Sequence, residues 1–290
     1  MGSIPDVRSR GAPHPAALMN PTRAGETAMS RIGIFAYGLV CYAAALVVFA
    51  YAFGFIGGFL TPTTLDGTAQ RPLAEALSID LALLVAFAVQ HSGMARPAFK
   101  RWWTRIVPES AERSTYVLVS SIAMVALFVY WEPIGGVIWS VAAGAGRTSL
   151  IVLYAFGWAL LLYTTFLIDH FDLFGLTQVW RHLRKHSYRA PQFHTPSLYR
   201  LVRHPLYIGW LIIFWAAPVM TVAHLVFALI TTAYIIIAIQ FEERDLTTAF
   251  GDLYVAYRRR TPMLMPRLWP STSSQARQAR SSQANQSPQL

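Results

Sequence analysis

The sequence predicts an all-α integral membrane protein with five to six transmembrane helices, the last of them paired as a C-terminal helical hairpin. Three observations carry this. The 290 residues are 54% hydrophobic and only 13% charged, about half the charge of a soluble domain, and the mean hydropathy is +0.40. Apolar runs recur that reach the roughly 18 residues needed to cross a bilayer. The cations gather in four segments that a six-helix count places on one side.

The first 28 residues are rich in Pro, Ala and Arg and lack an apolar run, so they do not read as a signal peptide. Residues 1–29 are expected to be a disordered extension, and Met29, just before Ser30-Arg31-Ile32, could serve as an alternative start. The first helix is expected from Ile32 to about Leu60 and the second from about Leu73 to Ser92. The third should run from about Thr115 to Trp131 and the fourth from about Leu150 to Phe171. Leu206–Gln240 is too long for one pass and barely long enough for two. Pro218, followed by Thr221 and His224, marks a turn there, so two short helices are expected; one long tilted element, giving five passes, is the alternative. Residues 269–290 have a disordered composition, which leaves 30–268 as one transmembrane domain.

The charges favour six. Arg8, Arg10, Arg23 and Arg31 precede the first helix, and Arg96, Lys100, Arg101, Arg105 and Arg113 lie between the second and third. Arg181, Arg184, Lys185, Arg189, Arg200 and Arg203 follow the fourth, and seven more arginines follow Phe241. Only Arg71 and Arg147 fall elsewhere. By the positive-inside rule the basic side is the cytoplasm, with both termini there. The net charge of +10 then reflects topology and anionic lipid headgroups, and it calls for no nucleic-acid partner. The single cysteine, Cys41, permits neither a disulfide within the chain nor a thiolate metal cage, and no metal is expected. No internal repeat is visible, and the lack of a GxGxxG motif excludes a soluble Rossmann-type fold.

Chemistry concentrates after Leu198. Arg200, Arg203, His204 and Tyr207 come first, and Pro205 suits the first position of a helix, where its missing N–H costs nothing. His204 then stands at a helix N-terminus, a ready site for an anion; the simpler account makes Arg203 and His204 interfacial anchors. Glu242, Glu243, Arg244 and Asp245 follow Gln240. If that is a helix C-terminus, three carboxylates oppose the macrodipole, which suggests a use such as holding ribose hydroxyls or pairing Arg203; the alternative is a solvated end paired to Arg244. Phe250, Tyr254 and Tyr257 recur at helical spacing and could lie on a membrane surface or roof a nucleoside. Pro262 and Pro266 would fold the segment back on the hairpin.

The elements R-H-P-L-Y-I-G, the Glu242-Glu243 pair, F-G-D-L-Y-V-A-Y and T-P-M-L-M-P resemble the motifs of the isoprenylcysteine carboxyl methyltransferase-like membrane methyltransferases. That resemblance covers about the last 70 residues and implies S-adenosylmethionine as methyl donor in a cytosolic pocket at the helix ends. It points to Arg203, His204, Pro205, Tyr207, Glu242 and Glu243 as cofactor contacts, with Tyr254 and Tyr257 as weaker ones. Further elements, among them Y-G-L-V-C-Y, Q-H-S-G-M-A-R, F-K-R-W-W-T-R-I-V-P and F-G-L-T-Q-V-W, are similar to the bacterial methanethiol S-methyltransferase family from about Ser30 to Met265. The Q-H-S-G-M-A-R element also resembles NnrU-type membrane proteins. This likeness implies methylation of methanethiol to dimethyl sulfide in the bacterial cytoplasmic membrane.

Such a reaction suits a dry pocket, because thiolate and sulfonium neutralise each other on the way to the transition state, and in-line approach rewards tight positioning. The thiol must lose a proton, to a base or because the sulfonium lowers its pKa. His204 and His91 are the catalytic candidates. His91 follows Gln90 at the end of the second helix, with Asp80 about three turns earlier, and ionisable groups within membrane segments mark function by default. Asp169 and Asp172 are expected to pair with basic neighbours, and His224 to sit in the extracytoplasmic turn. Met124, Phe128, Trp158, Phe166, Trp210 and Trp215 read as packing, and Trp102, Trp103, Trp131 and Trp139 as interfacial belt residues. Three rivals remain: another acceptor (a prenylcysteine carboxylate or a phospholipid amine), a non-catalytic NnrU-type protein, or a transporter component. The transporter fits least, because the charges gather at one face.

Overall fold

Proline, glycine and hydroxyl side chains set the helix boundaries in the computed structural model, which describes residues 27–188 and 193–266. The expected extension and tail, residues 1–29 and 269–290, lie almost wholly outside the described residues; only positions 27–29 are seen, and they open the first helix. That helix, α1 (Ala28–Gly57), starts where the Thr27 hydroxyl accepts the Ser30 amide and stops at Gly58, whose left-handed φ of 74° carries its N–H back to Gly54 O. Pro72 precedes α2 (Leu73–Ala95), Pro97 opens the short α3 (Pro97–Trp103), and Pro108 precedes α4 (Glu109–Tyr130). Glu109 and Glu112 lie in the first turn of α4, where the helix dipole favours anions. A strand, β1 (Val137–Ser140), leads to α5 (Ala145–Leu167), then to the short α6 (His170–Leu173) and α7 (Leu176–Leu183). After a 3-10 turn at Ser197–Arg200 come α8 (Pro205–Trp215), β2 (Val219–Thr221), α9 (Val222–Phe250) and α10 (Asp252–Arg260).

Among the described residues, five helices are long and apolar enough to cross a membrane: α1, α2, α4, α5 and α9. The sixth, α8, has 11 residues, about 16 Å of helix against about 30 Å of hydrocarbon. The chain completes the passage in extended form, and β2 pairs antiparallel with β1. The hairpin is therefore unequal: one short helix with an extended continuation, and one 29-residue helix, where two short helices were expected. The short pairing between β1 and β2 is a departure from pure helix that the apolar run concealed.

Contacts sort the loops onto two ends. At one, Asp66 accepts from Thr221, Arg71 pairs with Glu132, and the Trp131 indole donates to Leu65 O. At the other, Arg96 pairs with Asp245, Arg113 donates to Leu173 O, and Arg203 pairs with Glu243. The cationic segments after α2, α5 and α9 thus share an end, as six passes require. Trp131 is buried rather than a belt residue, because its N–H is committed to that loop carbonyl. Among the described residues no close ion pair joins Asp169 or Asp172 to a basic side chain, although the Arg113 and Arg181 charges act on Asp172. Asp169 caps α6 by accepting the Asp172 amide, and Asp172 accepts from Tyr188 and Gln178.

In the bundle α1 packs on α4 and α7, α2 on α4, and α5 on α8. The α5–α8 crossing is close because two glycines face each other. A Cβ on Gly209 would stand 3.1 Å from Gly157 O, and one on Gly157 3.2 Å from Gly209 O. Small residues at such a crossing let backbones approach where lipid supplies no hydrophobic drive. The core joins Phe55, Leu127, Phe128, Trp131, Ile213 and Phe227.

Candidate functional site

The site lies where the start of α8, the last third of α9 and the segment after α10 meet. Pro205 occupies the first position of α8, and His204 precedes it with φ −128° and ψ 61°. The backbone before this helix is held by the chain's far end: Arg203 N donates to Pro262 O (2.9 Å) and His204 N to Met263 O (3.2 Å). Pro262 thus brings the segment back onto the hairpin, as its composition suggested.

Glu243 is the hub. Its side chain is 8% exposed and Oε1 accepts from Arg203 Nε at 2.6 Å, while His204 Nε2 lies 3.0 Å from the same oxygen. The Arg258 guanidinium stands 3.9 Å from Oε2. Arg203 also donates to the carbonyls of Arg258 and Thr261. Most of its capacity, and that of Glu243, is therefore spent inside the protein.

Glu242 differs. Its side chain is 44% exposed and stands 3.8 Å from His204 Nδ1, and among the described residues it accepts one hydrogen bond, from the Tyr207 hydroxyl at 2.9 Å. It remains open to a ligand. Both carboxylates lie inside α9, which runs on to Phe250, so the expected opposition to a helix C-terminus does not arise. The glutamates stand well back from the last turn, where the dipole has faded.

Gly251, at φ 55°, ends α9 and lets α10 turn back. Phe250, Tyr254 and Tyr257 then surround Phe193, with ring centroids 5.2, 6.0 and 5.5 Å from it. The Tyr257 hydroxyl donates to Tyr199 O at 2.6 Å. Burial pushes the Tyr257 phenol up to about 12, against the pull of the Arg203 charge. Burial also raises Tyr254, with the Glu243 charge adding to it. The Tyr254 hydroxyl is buried and has no hydrogen-bond partner among the described residues, a costly state for a polar group.

Arg203, His204, Pro205, Tyr207, Glu242, Glu243, Tyr254 and Tyr257 thus converge, as the motifs implied. His91 lies outside this group, in α2, with Ser120 Oγ and the Tyr116 hydroxyl of α4 within 3.2 Å of its ring nitrogens. His224 lies at the opposite end, between Asp66 and Phe214 O. The carbonyl roles of Thr261, which opens the T-P-M-L-M-P element, and of Tyr199 were not foreseen, because a side-chain motif does not announce a backbone acceptor. Tyr116 and Tyr234 were not singled out either; Tyr234 is the one phenol of the apolar helix α9, and that was the available signal.

An open carboxylate, a buried phenol with no partner among the described residues and the half-exposed Arg258 guanidinium suit a polar ligand that carries hydroxyls and charges of both signs. The orphaned Tyr254 hydroxyl is the observation that fits best, because a polar ligand would relieve it.

Similar proteins are known by name. A protein from Crocosphaera subtropica named methanethiol S-methyltransferase is 50% identical over 238 residues, spanning 82% of this chain and 93% of its own. One of the same name from Mycobacterium tuberculosis is 49% identical over 242 residues, 83% of this chain and 98% of its own. Nurim from Rattus norvegicus is 32% identical over 187 residues, covering 61% of this chain and 70% of its own. No family model matches the chain, and no solved structure matches it.

Proposed function

The chain belongs to the methanethiol S-methyltransferase family, and on that premise we propose that it methylates methanethiol with S-adenosylmethionine, at the cytoplasmic face of a bacterial inner membrane. The products are dimethyl sulfide and S-adenosylhomocysteine. The observation that carries this reading is the division of labour between adjacent carboxylates: Glu243 is locked to Arg203 and His204, while Glu242 faces outward with Tyr207.

The donor supplies an electrophilic methyl carbon. The protein's part is to place and enclose it. Glu242 presents a negative edge for ribose hydroxyls or the ammonium group, and the Tyr254 hydroxyl offers a buried hydrogen-bonding atom. Arg258, half-exposed beside Glu243, gives the opposite charge for a carboxylate. Glu243 holds Arg203 and His204 in register, so the turn before α8 is rigid before any ligand arrives. The apolar bundle beyond it suits a small uncharged thiol arriving from the bilayer, and a low dielectric there favours the neutralisation of thiolate by sulfonium.

Purified protein in detergent, given methanethiol and S-adenosylmethionine, should release dimethyl sulfide into the headspace. It should also bind S-adenosylhomocysteine in calorimetry, and a variant with Glu242→Gln and Tyr254→Phe should lose both. Product formation undiminished in that variant would overturn the placement of the donor. No product from the unaltered protein would overturn the activity.

A further inference from the structure

A second polar cluster lies beside the first. His91 of α2 stacks on Phe87 at 5.2 Å and 17°. Its Nδ1 is 3.2 Å from Ser120 Oγ, and the Tyr116 hydroxyl is 3.0 Å from both ring nitrogens. An oxygen equidistant from the two nitrogens sits near the carbon between them, off the axis of either lone pair, and so is a poor partner for both. Ser120 engages Nδ1, which leaves Nε2 the less satisfied atom. With Nδ1–H donating to Ser120, Nε2 carries a free lone pair. Nearby, Ser92 Oγ lies 2.9 Å from the Tyr234 hydroxyl of α9, and Gln90 Oε1 is buried with no partner among the described residues.

Tyr207 joins this cluster to the first. Its hydroxyl donates to Glu242, and it lies within electrostatic reach of both Tyr234 and Tyr116. His91 and Tyr207 are each half-buried. Four helices, α2, α4, α8 and α9, contribute side chains to these contacts.

Resting on the donor placement given above, we propose that the acceptor thiol sits between Tyr207 and His91 and that His91 Nε2 takes its proton. The S–H bond breaks and the proton passes to Nε2. The sulfur electron pair closes on the methyl carbon, and the bond from that carbon to the sulfonium sulfur breaks, its pair remaining there as a neutral thioether. The imidazolium returns the proton to water before the next turnover. Tyr116, Ser120 and Tyr234 are positioning residues: Ser120 fixes the tautomer and the phenols shape the pocket. An alkyl thiol, mostly protonated at neutral pH, needs such a base; a more acidic thiol needs it less.

That difference supplies the test. The full chain in detergent is assayed with methanethiol and with 2,2,2-trifluoroethanethiol, whose fluorines acidify the S–H, for the unaltered protein and for His91→Asn. Calorimetry with S-adenosylhomocysteine gives a readout independent of turnover. His91→Asn should bind S-adenosylhomocysteine within about twofold of the unaltered protein. Its kcat with methanethiol should fall about 100-fold, the lower range for loss of a general base, and the deficit should shrink to below about tenfold with the fluorinated thiol. Ser120→Ala, a milder change if His91→Asn does not fold, should lose several-fold with the same dependence on thiol acidity. An equal deficit for both thiols overturns the proposal, as does a loss of S-adenosylhomocysteine affinity that matches the loss of rate. If the unaltered protein binds S-adenosylhomocysteine but methylates neither thiol, the acceptor and this base fail together; if it does not bind, the donor site itself is wrong.

Discussion

Replacing Glu243 and Glu242 separately should give opposite phenotypes, although the two are neighbours in sequence and identical in chemistry. Glu243→Ala removes a carboxylate 2.6 Å from Arg203 Nε, in a pair whose side chains are 11% and 8% exposed. Breaking a buried pair from one side costs about 3–5 kcal/mol, because the remaining charge stays out of water. Arg203 retains the Arg258 and Thr261 carbonyls, which favours the lower end, about 3 kcal/mol. At about 2–4 °C per kcal/mol for a domain of this size, the melting temperature should fall by about 6–12 °C. Glu242→Gln removes a half-exposed carboxylate with one hydrogen bond, worth about 1 kcal/mol or less. It should melt within a few degrees of the unaltered protein, yet bind S-adenosylhomocysteine about tenfold more weakly, a loss of about 1.4 kcal/mol. Thermal unfolding in detergent, followed by tryptophan fluorescence, and titration calorimetry on the same preparations measure both quantities. If Glu242→Gln is the less stable variant, or Glu243→Ala melts unchanged, the assignment of one carboxylate to structure and the other to binding is wrong.

Four further outcomes are expected. Tyr254→Phe removes a buried hydroxyl without a partner, so the ligand-free protein should melt at the same temperature or higher, while S-adenosylhomocysteine affinity drops several-fold in calorimetry. Gly209→Ala places a methyl 3.1 Å from backbone atoms of Gly157 and Leu161; rigid backbone cannot give way, so thermal unfolding should show a loss of about 1–3 kcal/mol. In a Cys41→Ala background, cysteines placed at Arg71 and Arg105 should label from opposite sides of sealed vesicles with an impermeant maleimide, Arg71 from outside in intact cells. The Asp172 carboxyl is raised by burial, with the Tyr188 hydrogen bond opposing. A raised folded-state value means the native protein binds the extra proton, so the penalty is absent below the ordinary carboxylate range and complete above the raised value. Asp172→Asn should therefore raise the melting temperature at neutral pH and leave it unchanged in acid.

The four long apolar runs before residue 170 were legible in the sequence because membrane crossing imposes length and hydropathy directly, and α1, α2, α4 and α5 formed there. Cation sorting read correctly as well, since Arg96, Arg113 and Arg203 do share an end of the bundle. The run from Leu206 to Gln240 misled in its division. Hydropathy cannot tell 11 helical residues followed by an extended stretch from a second full helix, and nothing apolar marks that α9 continues past Gln240 to Phe250. Within the site, motif residues were visible because their charges stand out against an apolar background. Their unequal duties were not. Glu242 and Glu243 are indistinguishable in the sequence, and only the 100° step between consecutive helical residues, which turns one toward Arg203 and the other toward Tyr207, separates them.

The backbone bonds from Arg203 and His204 to Pro262 and Met263 also have a bearing on biosynthesis. Every membrane-crossing helix precedes those two late positions in the chain, and the turn ahead of α8 stays untied until they dock. A chain ending between Arg260 and Pro262 should therefore keep its membrane helices and yet be inert, and a rigid fusion grafted close behind Met263 would strain the tie that completes the pocket.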